Sequence, residues 1–152
     1  MQHAEQADFK PFDASSWKIG IVVAQFNMHI TGKQYDSALE MADAYGIPSG
    51  NITTIRVAGA IEIPLALQKL AASGEYAALL ALGCIIQGET PHFDYVAKFV
   101  TEGILRVQLD HSTSIGFGIL TCNNEQQAVD RTQLAGEHLE AALQQARILR
   151  TD

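Results

Sequence analysis

Cysteine, proline and basic side chains are scarce in this 152-residue chain, which has two cysteines, four prolines and ten Lys plus Arg against 17 Asp plus Glu. Cys84 and Cys122 form neither a CxxC redox pair nor a zinc set, and such a composition suits a reducing compartment, the cytoplasm. A formal net charge of −7 removes the basic footprint that nucleic acid or an anionic membrane surface favours, so neither is an expected partner. Long hydrophobic runs are absent as well. The longest, Tyr76 to Ile86, has 11 residues where a membrane-spanning helix needs about 20. The polar stretch over 1–16 lacks the apolar segment of a secretory signal and reads as a flexible arm before a single domain over 17–152. Neither GxGxxG nor GxxxxGK[ST] occurs, so no dinucleotide or nucleoside triphosphate is indicated. The histidines His3, His29, His92, His111 and His138 show no HxxxH spacing, and no catalytic metal is expected.

What is present is an alternation of β-branched blocks and amphipathic stretches. Strands are expected at 17–23, 52–57, 77–86 and 115–121, the first and third apolar enough to be buried on both faces. Helices are expected over 31–45, 63–72 and 92–109, with Ile63, Leu67 and Leu70 on one face of the second and Val96, Val100, Ile104 and Val107 on one face of the third. Helical sequence resumes at Glu125 behind a cap, Asn123 or Asn124, and Gly136 is expected to kink or split it. Alternating strands and helices with right-handed crossovers give a three-layer α/β/α sandwich around a four-stranded parallel sheet, a flavodoxin-like arrangement.

In such sheets the ligand crevice lies beyond the carboxyl ends of the strands. The residues there are Phe26-Asn27, Gly59-Ala60-Ile61-Glu62, Gly88-Glu89-Thr90-Pro91-His92, and 121–124. The third loop enters a helix, whose free N–H groups attract anions, although an ordinary turn with Pro91 at the first helical position needs no ligand. His92 stands where the positive end of the helix dipole suits a neutral ring able to accept a proton; it either does so or hydrogen-bonds the turn. Glu62, among small and apolar neighbours, suits the hydroxyls of a polyol or serves as a helix-start carboxylate. Phe26 and Phe117 offer flat faces to a heterocycle or belong to the core, and Gly116 and Gly118 permit a close approach beside Phe117. Arg131 is a planar donor for phosphate or carboxylate, or a surface residue paired with an acid. Cys122 reads as a packed thiol.

Several of these segments, in order, resemble the lumazine synthase family. Gly59-Ala60-Ile61-Glu62-Ile63-Pro64 resembles its GAFEIP, and the stretch from Gly83 to Val96 resembles its GxxIxGxTxHFxYV. Ala24-Gln25-Phe26-Asn27 is similar to ARFN, the stretch from Phe117 to Thr121 to FGVLT, and the stretch from Glu125 to Arg131 to EQAxxR. The resemblance implies condensation of 5-amino-6-(D-ribitylamino)uracil with L-3,4-dihydroxy-2-butanone 4-phosphate, without metal or organic cofactor. It implies that Phe26 stacks on the pyrimidine, beside a pocket wall at Ile61. Asn27, Gly59, Ala60 and Glu62 would surround the ribityl chain, and Cys84, Ile85 and Ile86 would offer backbone contacts. Gly88, Glu89 and Thr90 would hold phosphate, and His92 would move protons. Phe117 and Arg131 would come from a neighbouring subunit of a homo-oligomer, a pentamer or a sixty-subunit capsid of pentamers.

The chain departs from the pattern at three places. Ile61 replaces an aromatic, Gln87 stands where a basic residue is common, and the Asn-Lys-Gly segment after the Arg is missing, with Gly136-Glu137-His138 in its place. That last departure keeps open a catalytically weakened shell or scaffold protein, and the flavodoxin-like fold a flavin- or lumazine-binding module.

Overall fold

A computed structural model describes residues 7–150. Four strands, β1 (Ile19–Ala24), β2 (Ile52–Val57), β3 (Ala78–Ile86) and β4 (Ser114–Cys122), form one all-parallel sheet in the order β2-β1-β3-β4. Five helices connect and flank them: α1 (Met28–Ala44), α2 (Ile63–Ser73), α3 (His92–His111), α4 (Glu125–Asp130) and α5 (Leu134–Leu149). The two-residue period of the strands assigns the two faces. Ile19, Ile21, Val23, Leu80 and Leu82 meet Ala38 and Ala42 of α1 and Leu139 and Leu143 of α5. Val22, Leu79, Ala81, Ile115 and Ile119 meet Ile63 and Leu67 of α2 and Val100 and Ile104 of α3. The expected three-layer α/β/α sandwich is therefore the observed one. Among the described residues no helix is long and apolar enough to cross a membrane.

Several boundaries differ from expectation for identifiable reasons. α1 starts at Met28, not Thr31, because Asn27 takes the left-handed conformation (φ 62°, ψ 44°) and its carbonyl at once accepts the N–H groups of Ile30 and Thr31. Pro91 occupies the cap position of α3 and His92 the first helical one. Asn124, of the two candidates, caps α4, its Oδ1 accepting the Gln127 N–H at 2.9 Å.

Gly136 neither kinks nor splits a helix. The break lies earlier, over 131–133, and Gly136 sits inside α5, where a Cβ would stand 3.1 Å from both the carbonyl oxygen and Oγ of Ser37. Its N–H donates to Ser37 Oγ at 3.0 Å, so this glycine serves the close contact of α5 with α1. Of the arm expected over 1–16, residues 1–6 lie outside the described residues and 7–11 are exposed. From Phe12 onward the chain is fastened. Phe12 sits edge-on to Trp17 and Tyr45, the Ala14 N–H donates to the Tyr45 carbonyl, and the Arg147 guanidinium lies over the Phe12 ring.

Candidate active site at the carboxyl edge of the sheet

With β1 leading outward to β2 and the next crossover landing on the other side at β3, the topological switch point falls between β1 and β3. The last β1–β3 pair is Val23 with Leu82, where that ladder ends. The loops after β1 and β2 are tied together by backbone bonds, Gln25 N–H to Val57 O and Phe26 N–H to Ala58 O. Asn27 Nδ2 reaches across to donate to the Cys84 carbonyl at 3.4 Å. Three strand ends thus form one cleft.

Phe26 lies over Gly59 at its floor. A Cβ on Gly59 would stand 2.5 Å from Phe26 Cδ2 and 3.6 Å from Glu62 Oε2, so these three residues converge and only glycine lets the ring rest there. Phe26 is 69% exposed, with one edge of its ring against Gly59. Ala60 and Glu62 belong to a 3-10 turn that delivers the chain into α2, with Glu62 exposed and Ala60 half-buried. Ile61, in the same turn, lines a groove between α2 and α3 together with Pro64, Phe99 and Gly103.

Beyond β3, Gly88, Glu89, Thr90 and His92 are all exposed at the N-terminus of the 20-residue α3. No side chain caps this helix from its cap position. The His92 N–H donates to Thr90 Oγ1 at 3.4 Å, leaving the Thr90 hydroxyl hydrogen available to an acceptor. A Cβ at Gly88 would meet nothing within 4 Å, so the space over this turn is open. Cys84 and Ile85 are buried, and the Cys84 carbonyl meets Asn27 at the cleft. Burial, with the neighbouring Cys122 thiol and the Glu125 carboxylate, pushes the Cys84 thiol up to about 12. Burial also raises Cys122, against the lowering influence of the nearby Arg131. Both are packed thiols rather than nucleophiles.

One of the candidate residues, Phe117, does not join the cleft. Phe117 is in register with Ala81, and Ala81 with Val22, so it sits four residues below the level of Phe26 and two strands away. That is roughly 13 Å along the strands and about 10 Å across them. Its ring faces Phe93 and Ala97 of α3 at the open edge of the sheet. The flanking glycines admit the protein itself. A Cβ at Gly116 would lie 2.6 Å from the His138 carbonyl oxygen of α5, and one at Gly118 would lie 2.6 Å from the Ala81 carbonyl oxygen of β3. The close approach expected beside Phe117 is thus that of a helix and a strand on the opposite face. Arg131 closes the end of α4, where its Nη1 donates to the Gln127 carbonyl at 2.7 Å.

The sequence reading assigned no role to three polar residues near this edge. Thr31 and Gln34 are fully buried on α1, with Thr31 Oγ1 donating to Ala24 O at 2.8 Å and Gln34 Nε2 to Gly118 O at 2.9 Å. Their only signal was a polar residue on an otherwise apolar helical stripe. His29, at the start of α1, contacts Glu125 at the start of α4.

The chain matches the family model described as 6,7-dimethyl-8-ribityllumazine synthase over residues 16–150. A protein of that name from Desulfovibrio desulfuricans is 45% identical over 119 residues, 78% of this chain and 76% of the relative. One of the same name from a Mycobacterium species is 46% identical over 129 residues, 85% of this chain and 78% of the relative.

Proposed function

The chain belongs to the 6,7-dimethyl-8-ribityllumazine synthase family, and from that premise we propose how its cleft condenses 5-amino-6-(D-ribitylamino)uracil with L-3,4-dihydroxy-2-butanone 4-phosphate, the penultimate step of riboflavin biosynthesis. The observation that carries the reading is the convergence of Phe26, Gly59 and Glu62 at the β1/β3 switch point, beside an open helix N-terminus bearing His92.

The pyrimidine stacks on the ring of Phe26, with backbone contacts from Cys84, Ile85 and Ile86 and a wall at Ile61. Its ribityl hydroxyls are taken by Glu62, Asn27 and the backbone of Gly59 and Ala60, a carboxylate being a strong acceptor for hydroxyl donors. The phosphate of the second substrate sits over Gly88, Glu89 and Thr90, held by N–H groups of the turn and of the first turn of α3. The exposed Glu89 side chain points its charge to solvent while its N–H serves the anion. Binding both substrates this way brings amine and ketone together, and positioning supplies much of the acceleration. The 5-amino group attacks the carbonyl and water leaves to give an imine. Phosphate then departs as the anion, and the ribitylamino nitrogen closes the second ring with loss of a second water. His92 is the group that moves protons in these steps.

The active site is completed between subunits of a homo-oligomer. Phe117, too far from Phe26 to act within its own chain, supports this, and so does the apolar row Tyr95, Phe99 and Leu109 on α3, which are 72%, 55% and 67% exposed on one helical face. A neighbour's Phe117 then covers the pyrimidine and its Arg131 neutralises the phosphate, in a pentamer or a sixty-subunit capsid of pentamers. The buried free thiols fit a cytoplasmic location.

The test is to incubate the purified protein with both substrates and follow lumazine fluorescence, with particle size measured alongside. Turnover well above the uncatalysed background is expected. Assembly without turnover would favour a shell or scaffold role instead.

A further inference from the structure

We infer that Thr31 is a positioning residue for the pyrimidine substrate, acting through the end of β1; this rests on the proposed use of Phe26 and Asn27. The β1–β3 ladder ends at Val23 and Leu82. Gln25 gives its N–H to Val57 on the β2 side, so the alternation of a parallel ladder turns the Ala24 carbonyl toward the β3 side, just past the last paired residues. Two side chains from the start of α1 bond to the carbonyls here. Thr31 Oγ1 donates to Ala24 O on β1 at 2.8 Å, and Asn27 Nδ2 donates to Cys84 O on β3 at 3.4 Å. These two bonds from the start of α1 take over where the β1–β3 ladder ends.

These bonds control what the cleft presents. Between Ala24 and Thr31 the chain must pass through Phe26 and the left-handed Asn27, a conformation unfavourable for a side-chain-bearing residue and kept only where its surroundings enforce it. The backbone N–H of Thr31 donates to the Asn27 carbonyl while its hydroxyl holds Ala24. One fully buried residue therefore grips both ends of the turn that displays Phe26. The hydroxyl touches neither substrate. Its loss frees the turn, so its effect falls on pyrimidine binding and spares the phosphate loop, which follows β3.

The experiment compares Thr31→Val, which keeps shape and removes the donor, Thr31→Ala, which leaves room for a water on the Ala24 carbonyl, and Thr31→Ser, which keeps the hydroxyl. Each is assayed as the full chain with either substrate varied, and its fold is followed by circular dichroism. Whichever of the valine and alanine variants folds should show KM for the pyrimidine raised about five- to twenty-fold, with kcat and the KM for the butanone phosphate within two-fold, and serine should restore the wild-type value. An unchanged pyrimidine KM in a folded variant, or a parallel loss in kcat and both KM values, overturns the inference. Inactive wild-type protein would overturn the proposed function itself, and the two failures are distinct.

Discussion

Gly59→Ala separates substrate stacking from stability. Gly59 has φ −150° and ψ −174°, extended backbone that alanine adopts without strain. The new Cβ would stand 2.5 Å from Phe26 Cδ2 and 3.1 Å from Cε2. To regain ordinary contact the ring must retreat by roughly 0.9 Å. Since Phe26 is 69% exposed its ring can swing outward, and no packed core opposes it. The folded state therefore loses little, and the more restricted unfolded chain offsets it by about 0.4–1 kcal/mol. The cleft loses its aligned aromatic face, worth about 0.5–1.5 kcal/mol in a stacked pair. That converts to a rise of about two- to twelve-fold in KM for the pyrimidine substrate. Steady-state fluorescence kinetics with each substrate varied in turn, beside a thermal melt, read both quantities. A melt within about 2 °C of wild type together with an unchanged pyrimidine KM would refute the stacking role of Phe26. A large drop in the melting temperature would refute the claim that the ring yields freely.

His92→Ala should lower kcat by about 10²-fold while leaving both KM values within a few-fold, because a general acid–base group contributes in the transition state; an equal kcat in stopped-flow and steady-state assays would remove it from proton transfer. Gly116→Ala, in contrast to Gly59→Ala, puts a Cβ 2.6 Å from the α5 backbone at the His138 carbonyl oxygen, which cannot swing aside. Overpacking of this kind costs about 1–3 kcal/mol, to be read from urea denaturation. Burial holds the His138 ring below its ordinary range, and its Nδ1 is buried against Gly118. The unfolded chain then binds a proton that the native one does not, so this contribution to stability is fully present above about pH 6.5 and is lost as pH falls toward the lowered native value. His138→Gln should flatten the dependence of denaturation midpoint on pH in that window, and an unchanged slope would exclude His138 as its source.

The layers of this fold were legible because each element carries its own period. The Leu- and Ile-dense run over 77–86 suits a strand covered on both faces, and Val100, Ile104 and Val107 mark the buried stripe of α3. Boundaries that depend on one residue's backbone were less legible. Nothing local announces that Asn27 turns left-handed, and Gly136 looked like a helix breaker although it answers to Ser37, 99 residues earlier. In the candidate site, the loop residues after β1, β2 and β3 could be named in advance because parallel sheets place their crevice there. The buried Thr31 and Gln34 could not, since their partners, Ala24 and Gly118, are defined by the packing of α1 on the sheet.

Local periodicity, turn chemistry and motif order, all short-range properties, determined the sequence of strands and helices, the three layers and the family. Tertiary structure decided how the pieces meet: that the Phe26 ring rests on Gly59, that Asn27 and Thr31 take the carbonyls beyond the last β1–β3 pair, and that Phe117 lies far below the cleft. These depend on strand register and on helix approach distances. Both are set by close packing between residues remote in the chain, where a single Cβ is enough to forbid the contact.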